Sequence, residues 1–409
     1  MSSQLCLSQG LLSDPPAPQF WIKLNELKRV LLQDSRLWKI QKRLSIESGD
    51  CIVVRKKTRE EVIHLIENLI LRFIQSVLEG GSDLDVPGRC SAGCVRFTSG
   101  VGFELLYSST RCHHTRKRTD TKQAQLTVVL EKIHELLITN SYATKRDLYY
   151  NNVELFDKQV TLNCLLDDIA VKFEVPRRCL HVMSDNKGML FGDLLFSHQD
   201  IVTDCRESSS MGTTVPNDIH DVTIISSSAR FVLVIEKEAT FQRLLDDKFC
   251  EKFGPCIIIT GKGFPDVSTR RVIHILWTLL EIPILGLVDC DPYGIEILTV
   301  FKFGSMSLAY NSHDLTCPCL KWIGVLPSDL ARLSIPDDCL MDLAQRDQQR
   351  LVLLLQRPFM KAEPMWKEEV EVMVARGKKA EIQCFSASFS QSYLVDVYLP
   401  QKLSAGSWV

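Results

Sequence analysis

The sequence predicts an α/β chain: the winged form of a helix-turn-helix, then a Rossmann-like parallel sheet, then a mixed α+β C-terminal extension. Three observations carry this. Apolar runs at residues 231–235, 256–260 and 284–288 each lead into a helical stretch, and such alternation implies a parallel sheet with right-handed crossovers. Upstream, three helical periodicities precede two short apolar runs set about the turn at 184–188. Finally, Asp289 and Asp291 stand where the third apolar run meets Pro292 and Gly294. A strand's period of two puts both carboxylates on one side, where they repel unless a cation lies between them. That layout suggests a hard divalent metal on oxygen ligands at the carboxyl end of the sheet, although a bare pair of this kind is more often a solvated turn.

Length and composition bound the rest. The 409 residues allow two or three domains, and 45% apolar with 24% charged residues is an ordinary globular balance. Net charge is −2, from 48 Lys+Arg against 50 Asp+Glu, so a nucleic-acid partner has to be met by local basic patches. No apolar run approaches the ~20 residues of a bilayer span, so no membrane association is expected. The first residues, Met1 to Cys6, lack the basic flank and apolar core of a signal peptide. The 15 scattered cysteines then read as reduced, mostly buried thiols of a cytosolic or nuclear protein.

In chain order, Pro15, Pro16 and Pro18 mark a loose leader. Leu24, Leu27, Val30, Leu31 and Leu37 fit a short amphipathic helix over 20–37, packing on the body of the protein. Val62, Ile66, Leu69, Ile70, Phe73 and Val77 give a second helix, ended by Gly80-Gly81. Residues 80–121 are rich in Gly, Ser, Cys and charge. Cys90, Cys94, Cys112, His113 and His114 can be drawn as a zinc site, but paired C-x-x-C knuckles are missing and a loop with free thiols is favoured. Arg111, Arg116, Lys117 and Arg118 read as a solvated basic run that could also touch phosphates. Helices follow near 126–137, from the N-cap Thr144 to Tyr150, and over 160–173. Runs 180–183 and 189–191 then read as a hairpin, which completes the winged helix-turn-helix. Residues 192–227 read as a surface loop between domains. The expected division is a leader at 1–60, a DNA-binding domain at 61–200, a linker at 201–227 and a metal-binding domain with its extension at 228–409.

Glu236 also ends a strand, and in a parallel sheet all such ends face one edge. Glu236, Asp289 and Asp291 can therefore converge, leaving positions open for water and phosphate oxygens, which suits Mg²⁺. The alternative is a set of helix-capping acids. Glu238 should be turned away by the pleat or the following helix. Gly261-Lys-Gly263 lacks the spacing and the hydroxyl of a phosphate-binding loop, which leaves a turn whose Lys262 meets a nucleic-acid backbone. Arg146 and Tyr150, four apart on a helix, share a face. A phenol of pKa ~10 attacks phosphate poorly unless a cation steadies the phenolate, and an arginine one turn away does that while clamping phosphodiester oxygens. Tyr149 is assigned to packing.

Together these stretches resemble one family, the meiotic double-strand-break transesterases related to the A subunit of topoisomerase VI. The matching segments are 143–150, 234–241, 259–266, 289–294 and 324–330, in the family's order. The leader and the 80–120 loop match poorly, and Cys290 stands where the family more often has alanine; its side should face away from the metal. The resemblance implies a Toprim domain in which Glu236, Asp289 and Asp291 hold Mg²⁺, a nucleophile at Tyr150, and an assisting Arg146. It also implies DNA contacts at Lys187, in the wing turn, and at Phe264. The implied enzyme is type IIB topoisomerase-like, of the isomerase class. Tyr150 attacks double-stranded DNA, the 3′-oxygen leaves, and the protein stays on the 5′ end. Glu236 is placed to pass a proton to the leaving oxygen. A homodimer is implied, with one protomer's tyrosine at the other's metal, together with a topoisomerase VI B-like ATP-binding subunit, meiotic accessory proteins and a nuclear location. Two rivals stand beside this reading: a hydrolytic Toprim metal nuclease and a non-catalytic DNA-binding scaffold.

Overall fold

The computed structural model describes residues 18–81, 84–86, 94–107, 120–184, 186–207, 211–217 and 222–409. Helix α1 (Pro18–Ser48) is longer than the sequence predicts. Its buried stripe is Phe20, Leu24, Leu27, Leu31 and Trp38, a one-sided helical pattern, whereas Val30 and Leu37 are exposed. That stripe lies along the later α/β region, with Phe20 edge-on to Phe231 at 6.2 Å and Trp38 edge-on to Trp277 at 4.7 Å. Helix α2 (Arg59–Leu78) starts at a capping box of Thr58 and Glu61 and buries Val62, Ile66 and Leu69. Strands β1 (Val95–Thr98) and β2 (Gly102–Leu105) form a hairpin whose rings pack on Phe303 and Phe359. Cys94 is disulfide-bonded, which corrects the expected free thiol there, while Cys90, Cys112, His113, His114 and the basic run at 111–118 lie outside the described residues.

The helical region is α3 (Asp120–Ile138), α4 (Lys145–Tyr150), a single turn at Val153–Phe156, and α5 (Gln159–Phe173). β3 (Ala143–Thr144), just before α4, pairs in parallel with β4 (Val182–Met183). The expected hairpin does not form. β5 (Met189–Gly192) turns away from β4 and joins the large sheet instead, so Lys187 lies in a connection between two sheets and not in a wing turn. Residues expected as a loop carry strands too: β6 (Leu195–His198) pairs on either side with β7 (Ile201–Asp204) and β9 (Val222–Ser226), while β8 (Thr213–Thr214) lines up on β5. Their polar sequence reflects a small sheet with an exposed face.

The large sheet has six strands in the order β13-β12-β10-β11-β5-β8. β10 (Val232–Ile235) is its parallel centre, between β11 (Ile257–Thr260) and β12 (Ile284–Leu287), and β13 (Lys321–Gly324) extends it in parallel. β10, β11 and β12 are buried at every residue, as strands covered on both faces must be. Helices α6 (Glu238–Asp246), α7 (Val267–Leu280) and α8 (Pro292–Phe303) follow the first three parallel strands, as the alternation predicts. The remainder mixes short helices with a two-residue strand pair, the expected α+β extension. Among the described residues no helix is long and apolar enough to cross a membrane.

The helical region is joined to the sheet region by buried charge. Asp167 on α5 pairs with Arg177 at 2.7 Å and accepts the Tyr310 hydroxyl at 3.0 Å. A buried carboxylate with both a cation and a hydroxyl donor is a satisfied one, which fixes the junction in one geometry.

Candidate active site

Glu236 follows β10 directly, Asp289 follows β12 by two residues, and Asp291 caps α8. The cap forms because Asp291 Oδ1 accepts the Gly294 amide at 2.6 Å, while Pro292 needs no amide partner in a first turn. Gly294 is required by close approach: a Cβ there would sit 2.5 Å from the Asp289 carbonyl oxygen and 3.0 Å from Glu236 Oε2. Glu236 Oε2 accepts the Asp289 amide at 2.9 Å, which ties the two strand ends together. Asp289 is engaged at both oxygens. Its Oδ1 accepts the Ile382 amide at 2.9 Å, and its Oδ2 lies 2.6 Å from Lys237 Nζ. Cys290 is wholly buried, and its backbone bridges Ala380.

The charges of Asp289 and Asp291 both bear on Glu236. Burial pushes Glu236 up to about 7, and the charges of Asp289 and Asp291 add to it against the Asp289 amide bond. Asp291 is raised as well, chiefly by burial, with the Asp289 charge assisting against the Gly294 amide. Buried oxygen donors gathered at one edge, with the charges of Asp289 and Asp291 bearing on Glu236, fit a hard divalent cation. Among the described residues no three metal-ligating side chains close on one point, and Asp289 faces Lys237 and Ile382.

The tyrosine helix is built locally. Thr144 Oγ1 accepts the Asp147 amide at 3.1 Å, and Asp147 Oδ2 accepts the Thr144 amide at 3.0 Å, so Thr144 is the N-cap that the sequence predicts, and the structure completes it as a reciprocal capping box at the start of α4. Leu148 is the buried anchor, while Arg146 and Tyr150 are exposed. Tyr149 is half-buried and its hydroxyl donates to the Asp157 carbonyl at 3.3 Å, consistent with packing.

Lys187, Lys262 and Phe264 come together. Lys187 Nζ donates to the Lys262 carbonyl at 3.1 Å, and its amide donates to Asp266 Oδ2 at 3.2 Å. Lys262 at φ +51° and Gly263 at φ +88° make the tight turn, which the Gly263 amide pins to the Glu236 carbonyl at 2.8 Å. Phe264 is 44% exposed beside them. Lys262 Nζ pairs with Glu238 at 2.8 Å, which occupies that carboxylate. The structure thus gathers three acids and a basic-aromatic turn at one edge, and Arg146 with Tyr150 on one helix. Among the described residues no hydrogen bond joins Tyr150 to Glu236, Asp289 or Asp291. The sequence reading missed Lys237 and its second carboxylate, Glu381, 3.3 Å away. The Glu236-Lys-Glu238 alternation shows the charge but not the distant acid it meets.

Residues 231–403 match the family model for the Toprim domain of Spo11 and the topoisomerase 6 A subunit, and residues 121–182 match the family model "Type IIB DNA topoisomerase". Meiotic recombination protein SPO11 of Mus musculus is 41% identical over 362 residues, covering 87% of this chain and 90% of that protein. The human protein of the same name is 39% identical over 361 residues, covering 87% and 90%. The A subunit of DNA topoisomerase 6 from Arabidopsis thaliana is 37% identical over 363 residues, covering 88% and 84%.

Proposed function

Because this chain belongs to the family of SPO11 and the topoisomerase VI A subunit, we propose that it makes the DNA double-strand breaks that start meiotic recombination, with Tyr150 as nucleophile. The phenol oxygen, its proton released to solvent, attacks a phosphodiester, an O–P bond forms, and the bond to the 3′-oxygen breaks. The protein is left covalently on the 5′ end. Arg146, one helical turn from Tyr150, steadies the phenolate and the phosphoryl oxygens. Glu236 is placed to pass a proton to the leaving 3′-oxygen. Glu236, Asp289 and Asp291 would hold Mg²⁺, which when bound offsets negative charge on the phosphate.

Lys187, Lys262 and Phe264 contact the duplex, two by charge and one by its exposed ring. Two copies of the chain cut opposite strands, each tyrosine serving its partner's acids. A topoisomerase VI B-like ATP-binding protein and meiotic accessory proteins act with it, in the nucleus. The observation carrying this reading is the joint presence of a capped, exposed tyrosine helix and a trio of strand-end acids. The test is to trap protein on 5′ DNA ends with denaturant. Covalent adduct from the native chain and none from Tyr150→Phe supports it. Cleavage surviving Tyr150→Phe would establish the hydrolytic nuclease, and DNA binding without any cleavage would establish the scaffold.

A further inference from the structure

Three carboxylates at one sheet edge need a counter-charge, and this chain brings one of its own. Lys237 Nζ lies 2.6 Å from Asp289 Oδ2 and 3.3 Å from Glu381 Oε2. The Asp289 side chain is 3% exposed, Glu381 is 53% exposed, and Lys237 at 30% lies between them. The same C-terminal segment that supplies Glu381 donates the Ile382 amide to Asp289 Oδ1, and the Cys290–Ala380 bridge holds it against the aspartate loop. Both oxygens of Asp289 therefore have partners within the chain. A cation taking Asp289 as a ligand competes with one of them, at one oxygen for the lysine's charge and at the other for the amide. The amide is fixed by backbone pairing, whereas the lysine sits on a flexible stem with a second carboxylate already in reach.

We propose that Lys237 is a built-in counter-cation that competes with the divalent ion for Asp289, with Glu381 as the berth to which its ammonium shifts when the ion binds. The inference rests on Asp289 being an ion ligand, as set out above. Its consequence is that Lys237 sets the affinity for the ion and acts as a positioning residue, without touching the DNA. Removing its charge leaves Asp289 free for the ion and leaves the acids more repulsive without it. Removing Glu381's charge confines the ammonium to Asp289.

Calorimetric titration of the purified full chain with Mg²⁺, and with Mn²⁺ as a second probe, tests this without any cleavage readout. Lys237→Met is expected to bind the ion about tenfold more tightly, within the range of ordinary site-to-site coupling. Lys237→Arg, which keeps the charge, stays near the native affinity. Glu381→Gln, an exposed change that leaves the fold alone, binds several-fold more weakly; it keeps the test open should Lys237→Met fail to fold. Asp289→Asn separates the two ideas. If it leaves ion binding unchanged, Asp289 is no ligand and the underlying site reading fails. If Asp289→Asn abolishes binding while Lys237→Met is unchanged or weaker, or Glu381→Gln binds as the native chain does, the counter-cation is overturned.

Discussion

Tyr150 and Glu236 stand at opposite ends of the exposure scale: the tyrosine is 69% open to solvent and the glutamate 8%. Their supports differ in kind. α4 is six residues long and is held by one capping box and the buried Leu148. Glu236 directly follows a four-residue strand that is buried throughout and lies between two parallel neighbours. A nucleophile that has to reach a phosphodiester in a duplex must protrude, and an acid that has to keep a proton near neutrality must be shielded from water. On the proposed reading, one half of the chemistry is presented and the other is enclosed. That division suits a site shared between two copies, because a protruding side chain on a short capped helix can enter a surface that its own chain does not provide.

The largest break of this contrast is Tyr150→Phe. Covalent cleavage should fall on the order of a thousandfold or more, as loss of a nucleophile does elsewhere. Thermal stability should move by less than about 0.5 kcal/mol, since the exposed ring's hydroxyl has no hydrogen bond among the described residues. A stability loss as large as the activity loss would mean that the phenol is structural. Glu236→Gln sharpens the other half. It removes the proton and the charge but keeps an oxygen for the Asp289 amide, so cleavage should drop about 10²- to 10³-fold. Without divalent ion its melting temperature should hold or rise, because Asp289 and Asp291 lose a repulsive neighbour. Melting scans with and without Mg²⁺, run beside the cleavage assay, check both points.

The same contrast governs what could be read from the sequence. The acids were legible because strand ends in a parallel sheet share an edge, a rule that needs only the apolar runs and their order. Thr144 as a cap was legible because a capping box is a local pattern, completed here by Asp147 three residues on. The wing was not. A four-residue strand after a turn pairs with whatever the tertiary fold brings beside it, and Met189–Gly192 meets Ile257–Thr260 far along the chain. The outer face of α1 was misjudged for a related reason. Val30 and Leu37 continue an apolar pattern, but the buried stripe is chosen by Phe231, Trp277 and their neighbours, which no local window contains. Lys237 was missed because its partners, Asp289 and Glu381, come from two other segments.

Enclosure has a pH signature that presentation lacks. His274, on α7 beneath the large sheet, is buried between Trp38 and Trp277, and its Nδ1 lies 2.7 Å from the Thr316 carbonyl. Burial pushes it down to about 4, with Lys42 and Arg271 adding to the depression against Asp314 and the Thr316 bond. In the unfolded chain the ring titrates near ~6.5, so its contribution is complete above that pH and is lost as pH falls towards 4. One extra proton bound by the unfolded chain across that window means a slope of ~1.4 kcal/mol per pH unit. Denaturant titrations between pH 7 and 4 should show this component, and His274→Gln should flatten it. An unchanged slope would place the acid sensitivity elsewhere.

The smallest effect tests the presented half. Thr144→Ala removes the side-chain acceptor for the Asp147 amide at the start of α4 and should cost about 1 kcal/mol. In a helix of six residues that loss is local, because a short helix has few bonds of its own to hold it once its first turn frays. Amide hydrogen exchange should therefore quicken over 145–150 and stay unchanged in β10, β11 and β12. Cleavage should fall less than tenfold, since Leu148 still anchors the segment. Exchange that quickens across both regions together would mean that the tyrosine helix and the acid edge unfold as one unit, and that the nucleophile is held by the core and not by its cap.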